Sequence, residues 1–262
     1  MSEFYCACQN RLLETLPAQA FARLAPQMEW VPLRLGEVLH ESGCRPRHLY
    51  FPVTAIVSLV CLLENGDSAE LAVAGCEGMV GVHLLMGGDT TPNRAVVSGA
   101  GHAYRLKASL VRQEFNGGGA LQLLSLRYAQ ALITQMSQTA VCNRHHSLRQ
   151  QLCRRLLSSL DRSLSNELSM THELVAHMLG VRREGVTEAA GQLQKAGLIE
   201  YHRGHVKVLD RKGLEAGACE CYQVVKKEYD RLLPAPAHAS QATGTKPPAR
   251  QNGRECWRNP QP

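Results

Sequence analysis

The segment Met170-Thr171-His172-Glu173-Leu174-Val175-Ala176-His177-Met178-Leu179-Gly180-Val181-Arg182-Arg183-Glu184-Gly185-Val186-Thr187 admits few folds. Leu174, Val175 and Met178 recur at helical spacing behind Thr171, a residue suited to capping a helix. Gly180 supplies a turn. Val186, Ala189, Ala190 and Leu193 then line the inner face of a second helix, and Gly197 ends it as a C-terminal cap does. Two short helices around a glycine turn leave Arg182, Arg183, Glu184, Thr187 and Glu188 facing outward from the first half of the second helix.

Those outward side chains suit the edges of DNA bases. Arg183 matches guanine O6 and N7 in a bidentate way, and Glu184 matches the amino group of cytosine. Thr187 suits a phosphate or a thymine methyl, and Thr171 and His172 at the start of the first helix are further DNA-binding candidates. A solvated helix face is the plain alternative, since most exposed charge runs are no more than that. The agreement of turn, cap and following hairpin favours base reading. That hairpin is expected from Leu198–His202 and Val206–Leu209 across Arg203-Gly204-His205, with Arg203, His205 and Lys207 against the phosphate backbone.

Upstream the texture differs. From Val31 to about Lys107 short apolar runs alternate with glycine, proline and Asn-Gly, among them residues 49–52, 56–63, 69–73 and 94–97. Glu64-Asn65-Gly66-Asp67 is a hairpin signal, and many short strands point to a small antiparallel barrel or jelly roll. Residues 10–30 read as helix interrupted at Pro17. Residues 120–143 read as one long helix, with Leu121, Leu124, Tyr128, Leu132, Met136 and Ala140 at steps of three and four. That stripe either pairs with a second copy of the chain or packs on its own barrel. Pairing is favoured, because Ala131, Gln135 and Gln138 make a mixed second face suited to a partly wet seam. A helix carrying Leu148, Leu152, Leu156, Leu157 and Leu160 follows, and a last one spans about Arg211 to Leu233.

The chain has 262 residues and a net charge of +6, unevenly spread: −1 over residues 1–142, +4 over 143–233 and +3 over 234–262. A polyanionic partner is expected for the C-terminal half alone. No apolar run is long enough for a membrane helix, and the N-terminus lacks the pattern of a secretory signal, so a cytoplasmic protein is expected. Thiols stay reduced there, and the ten cysteines are expected to be mostly small buried hydrophobes.

Taken together, the strand-rich first half, the long helix and Leu179-Gly180-Val181-Arg182-Arg183-Glu184-Gly185-Val186-Thr187 resemble the Crp/Fnr family of bacterial transcription regulators. Asn10-Arg11-Leu12-Leu13 with Leu16-Pro17, and Gly36-Glu37-Val38-Leu39, are similar to its entry helix and first barrel strands. The resemblance implies an α+β chain: an antiparallel jelly roll of cyclic-nucleotide-binding type over 1–118, a dimerisation helix over 119–145, and a winged helix-turn-helix over 146–233. Residues 234–262 are expected to be disordered. It also implies a homodimer on two-fold related double-stranded DNA, with RNA polymerase as a further partner of an activator. One departure concerns Glu188, where the family usually has arginine, so the DNA preference of well-known members does not transfer.

The resemblance places a phosphate-binding loop from Gly78 and Gly81 through Arg94 and Ala95. Val82 stands where cyclic-nucleotide sensors have a ribose-binding glutamate, and valine accepts no hydroxyl hydrogen, which disfavours cyclic AMP. Metal or redox sensing is the rival input, from Cys6 and Cys8, Cys219 and Cys221, or Cys142 near His145 and His146. The spacings do not match the iron–sulfur members of the family, and Cys219 and Cys221 on one helix are expected to diverge. No metal ligand set is assigned, and the effector stays unnamed. A thiol-dependent enzyme and a scaffold binding nucleic acid without sequence preference are the alternatives. The chain has no phosphate loop, nucleophile elbow or helical zinc motif, so no catalytic residue is expected.

Overall fold

The computed structural model describes residues 10–163 and 165–233. Cys6, Cys8 and the 234–262 tail lie outside the described residues. Asn10 caps the chain's entry by accepting from the Leu13 N–H at 3.3 Å, and its amide donates to the carbonyls of Pro52 and Gly78 at 2.8 Å. The expected entry helix is broken into α1 (Arg11–Glu14) and α2 (Ala18–Leu24), followed by a 3-10 turn carrying Pro26. Both breaks fall at proline, which cannot donate to the helical ladder.

Seven strands then build two facing sheets: β1 (Glu29–Leu33), β2 (Val38–His40), β3 (His48–Pro52), β4 (Ile56–Leu62), β5 (Ser68–Ala74), β6 (Arg94–Gly99) and β7 (Gly101–Lys107). Their order is β1-β7-β3 in one sheet and β2-β6-β4-β5 in the other, antiparallel throughout. The Asn65-Gly66 turn joins β4 to β5 as expected, with Gly66 at φ +89° and the Leu63 N–H donating to the Asp67 carbonyl at 2.8 Å. Alternation puts Leu49, Phe51, Val57, Leu59, Ala72 and Ala95 between the sheets.

A helix that the sequence pattern did not reveal, α3 (Ala108–Asn116), leads into the long α4 (Ala120–His145). Leu121, Leu124, Tyr128, Ala131 and Leu132 of α4 are buried in the barrel's own core, so the stripe expected to pair with a second copy packs intramolecularly. Of its supposed wet seam, Ala131 and Gln135 are inside too, while Gln138 stays partly exposed. Gln135 is buried between the Tyr229 hydroxyl at 2.9 Å and, with the amide turned to satisfy both its ends, the Val73 backbone. The approach is close: a Cβ on Gly78 would come within 2.4 Å of the Tyr128 ring, whose hydroxyl donates to the Met79 carbonyl at 2.9 Å. The opposite face of α4 exposes Leu123, Leu126, Ile133 and Val141.

A Ser147–Gln150 capping box opens α5 (Leu148–Leu160). Then come β8 (Glu167–Ser169), α6 (His172–Leu179), α7 (Arg183–Lys195), β9 (Ile199–His202), β10 (His205–Val208), α8 (Arg211–Gly217) and α9 (Glu220–Leu232). A second core forms from α5, α6, α7, α8 and the three short strands. The single last helix expected from about Arg211 to Leu233 is two. The chain straightens at Ala218 and Cys219, and α9 runs back along α4, placing Tyr229, Leu232 and Leu233 in the barrel core.

Two buried ion pairs join the halves. Arg155 of α5 meets Glu70 of β5 at 3.0 Å, and Arg162 meets Glu77 at 2.7 Å. No helix among the described residues is long and apolar enough to cross a membrane.

Candidate nucleic-acid interface and effector cavity

Thr171 caps α6 by accepting from the Leu174 N–H at 3.1 Å. Gly180 takes φ +65°, a conformation that other residues adopt only with strain, and so turns the chain into α7. Val175, Met178 and Leu179 pack against Val186, Ala189, Ala190 and Leu193, all buried. Arg182, Arg183, Glu184, Thr187 and Glu188 are left exposed on one side of α7.

This helix start is not built for stability. Arg182 provides no side-chain cap, and two arginines sit at the positive end of the helix dipole. Neither guanidinium has a hydrogen bond or ion pair among the described residues, so ten N–H donors face solvent. Local rules broken without internal compensation mark a surface shaped for a partner.

The neighbours are more constrained. Thr187 Oγ1 donates to the Arg183 carbonyl at 3.0 Å and lies 2.9 Å from His172 Nδ1. Its hydroxyl is therefore occupied, and its methyl remains. His172 rests on the Tyr201 ring, centroids 4.2 Å apart, and burial, then the Arg183 charge, hold its imidazole below the usual range. Glu188 pairs with neither arginine; its Oε1 accepts from Gln192 Nε2 at 3.4 Å, one turn on.

The wing is a two-residue turn. Arg203 (φ +46°) and Gly204 (φ +84°) connect β9 to β10, and His205, expected in the turn, is paired in the strand opposite His202. A third strand absent from the sequence reading, β8, pairs with β10. Val206 and Val208 point into the core while His205 and Lys207 face outward. The Met170 N–H donates to the Gly204 carbonyl at 2.8 Å, so the wing turn abuts the start of α6. Thr171, Arg203 and His205 line a hollow shared with β4 and β6 of the barrel, while His172 reaches Thr187 of α7.

The five residues expected to bind an effector do not share a cavity. Gly78 packs beneath Tyr128, and Ala95 is buried in β6. Arg94 pairs with Glu41 at 3.0 Å and borders a hollow of about 650 Å³ between the barrel and α6. Only Gly81 and Val82 line a cavity of about 180 Å³ between the barrel and α4. Two residues missed in the sequence give it chemistry: His40 and His83, ring centroids 5.3 Å apart, each with an unpartnered buried Nε2. Nothing in their spacing marked them, because they meet only when β2 folds over the turn after Gly81.

Burial, then the neighbouring His83, pull the His40 imidazole down to about 4 from its usual 6.5. Between those values the unfolded chain holds the extra proton. Stability therefore falls as pH drops from about 6.5 toward 4, and this ring has no effect above that window. Allowing for water's access to the cavity, the expected loss between pH 7 and 5 is roughly 1 kcal/mol. Urea titrations of His40→Gln beside the parent should show a flatter acid limb; parallel limbs would rule His40 out as its source.

The cysteines also differ from expectation. Cys219 is the extended residue before α9 rather than part of it, so its sulfur and that of Cys221 converge. Together with Cys142 and His146 they place four potential ligand atoms within 4.8 Å of one another. His145 faces solvent.

A two-sheet barrel, a long helix and a winged helix-turn-helix with an unpaired cationic reading face together define a DNA-binding regulator. Residues 150–216 match the Crp-like helix-turn-helix domain, and residues 30–117 match the cyclic nucleotide-binding domain, together more than half the chain. The chain belongs to the Crp/Fnr family of transcription regulators, which are not enzymes.

Solved structures share the fold. A Crp/Fnr-family protein from Eubacterium rectale is 18% identical with a TM-score of 0.61, covering 78% of this chain and 96% of its own. FixK2 from Bradyrhizobium japonicum is 15% identical at 0.61, covering 73% and 98%. TTHB099, a CRP-family transcriptional regulator from Thermus thermophilus, is 22% identical at 0.60, covering 72% and 96%. No curated protein matches the sequence.

Proposed function

We propose that this regulator binds a specific, two-fold related duplex site as a homodimer and that the His40–His83 cavity takes its effector. The observation that carries the reading is the pair of unpartnered arginines on the exposed start of α7, beside the acceptor Glu184. Arg182, Arg183, Glu184 and Glu188 face base edges, Thr187 presents its methyl, and His172 braces Thr187. Thr171, Arg203, His205 and Lys207 lie along the phosphates. Residues 1–118 form the sensor, 119–145 the dimer helix and 146–233 the DNA-binding domain, with α9 returning to the sensor.

The face that meets the second copy is Leu123, Leu126, Ile133 and Val141, a stripe at helical spacing that the barrel leaves uncovered. The effector is small, and it carries a polar hydrogen for a neutral imidazole inside a mainly apolar cavity that Thr91 and Asn93 also border. Its binding shifts the pairing of the two long helices and hence the spacing of the two reading helices. RNA polymerase is the further partner where the bound dimer activates.

Selection from a random duplex pool tests the reading. Enriched sites should carry inverted half-sites about 10 base pairs apart. Leu126→Asp with Ile133→Asp should yield a folded monomer by light scattering that no longer retains such sites. Equal retention of enriched and random duplex at fixed salt would reduce the protein to a non-specific binder.

A further inference from the structure

Cys142 and His146 sit one turn apart at the end of α4, and Cys219 and Cys221 flank the start of α9. Cys142 Sγ is 3.5 Å from Cys219 Sγ, and Cys221 Sγ is 3.6 Å from His146 Nδ1. Tetrahedral zinc with bonds near 2.3 Å to sulfur sets its ligand atoms roughly 3.8 Å apart. The spacing therefore suits one shared ion. A four-iron cluster holds its thiolates on separate irons and spreads them farther.

The surroundings complete the pattern. His146 turns Nδ1 toward the sulfurs, and its Nε2 lies 3.3 Å from the Glu220 carboxylate, which fixes the tautomer that leaves Nδ1 free to ligate. Gln151 Nε2 donates to the carbonyls of His146 at 2.9 Å and Cys142 at 3.4 Å, holding the helix end in place. Three thiolates and one imidazole around a divalent ion leave a net charge of −1. The Arg154 guanidinium beside Cys142 and the N-terminus of α9 offset it. The three cysteines are buried, His146 is partly so, and four protein ligands leave no open coordination position, as in structural zinc sites.

We propose that Cys142, His146, Cys219 and Cys221 bind one zinc ion that ties the end of the long helix to the junction between α8 and α9. Each of the three thiols loses its proton to solvent as its sulfur bonds the metal, and no redox change is involved. The ion clamps the point where the chain leaves the winged helix and returns along α4. It thereby fixes the DNA-binding domain against the helix through which the sensor acts. Metal supply at this joint then changes DNA affinity without touching the proposed effector cavity.

The test uses the full chain, reduced, loaded with zinc chloride and dialysed. Elemental analysis should find about one zinc per chain, with about three protons released on loading. Cobalt in its place should give a thiolate-to-metal charge-transfer band and the strong visible bands of a tetrahedral ion. Cys142→Ser with Cys219→Ser should abolish both, while Cys61→Ser, remote from the cluster, keeps them. Glu220 is largely exposed, so Glu220→Ala keeps the fold; it should lower zinc affinity about 10–100-fold. The proposal is overturned if reduced protein retains no zinc, if the double variant retains as much as the parent, or if cobalt shows no thiolate band. These readouts are independent of DNA, so they stand apart from the test of base reading.

Discussion

Glu77→Ala is expected to lower the free energy of unfolding by about 3–5 kcal/mol, the range for stripping one partner from a buried ion pair. The magnitude follows from what stays behind. Arg162 is 7% exposed, and its Nε donates to Glu77 at 2.7 Å while one terminal nitrogen donates to the Ser158 carbonyl at 2.7 Å. Burial opposes its charge, yet Glu77, with Tyr229 and Asp161, more than offsets that and holds the guanidinium above its usual range. Alanine removes the compensation and leaves the burial. The stem lies against Gly75, where a Cβ would come within 2.7 Å of it, its charge stands 5.8 Å from the Tyr229 ring, and both partners border a hollow of about 240 Å³. Replacing both partners, Glu77→Leu with Arg162→Met, should recover most of the loss, because no charge is then stranded. An exposed pair supplies the contrast, since Glu228→Ala beside Arg231 should shift the urea midpoint hardly at all. A midpoint for Glu77→Ala close to the parent's would mean that water already reaches the pair. Because this pair, just past the end of α5, and Arg155–Glu70 both tie the barrel to the C-terminal half, the same substitution should also loosen the DNA-binding domain from the barrel.

What could be read from the sequence was what is local. Thr171, Gly180 and Gly197 act within a few residues of themselves, and a 3.6-residue period needs no knowledge of its partner, so α6 and α7 were legible in advance. The Asn65-Gly66 hairpin was legible for the same reason. Elements defined by distant partners were not. β8 is three residues long and exists only because β10 lies beside it. The apolar stripe of α4 has the same period whether it meets a barrel or a second copy, and the choice between them is made by the barrel and α9. The cavity proposed for the effector needed His40 and His83, more than forty positions apart, on elements that a linear pattern does not join. The cysteine cluster failed on one residue. Cys219 and Cys221 diverge if both are helical and converge when Cys219 is the extended cap, a difference of one residue in a helix boundary.

Arg183→Ala should weaken binding to the selected site by about 1–3 kcal/mol and binding to random duplex far less. The asymmetry is the substance of the prediction. A guanidinium that reads guanine loses two directed bonds when the base is right and little when it is wrong. One that merely meets phosphates loses the same on every sequence and lowers the salt slope by about one. Lys207→Ala, on the wing, should behave in the second way. Arg183 fits the first because no carboxylate on its own chain holds it, leaving the whole fork free for a base pair. Glu188 bears on the same question. Held by Gln192 one turn further along, it does not neutralise Arg183, so in the proposed complex its carboxylate is available to the DNA as an acceptor. A cytosine amino group within reach satisfies it, whereas a phosphate repels it. Glu188→Gln should therefore raise affinity for random duplex while relaxing the preference at one base pair of each half-site. Titrations of both variants on selected and random duplex, at two salt concentrations, separate these outcomes. Equal losses on both duplexes for Arg183→Ala would assign that arginine to the backbone and leave sequence reading to other residues of α7.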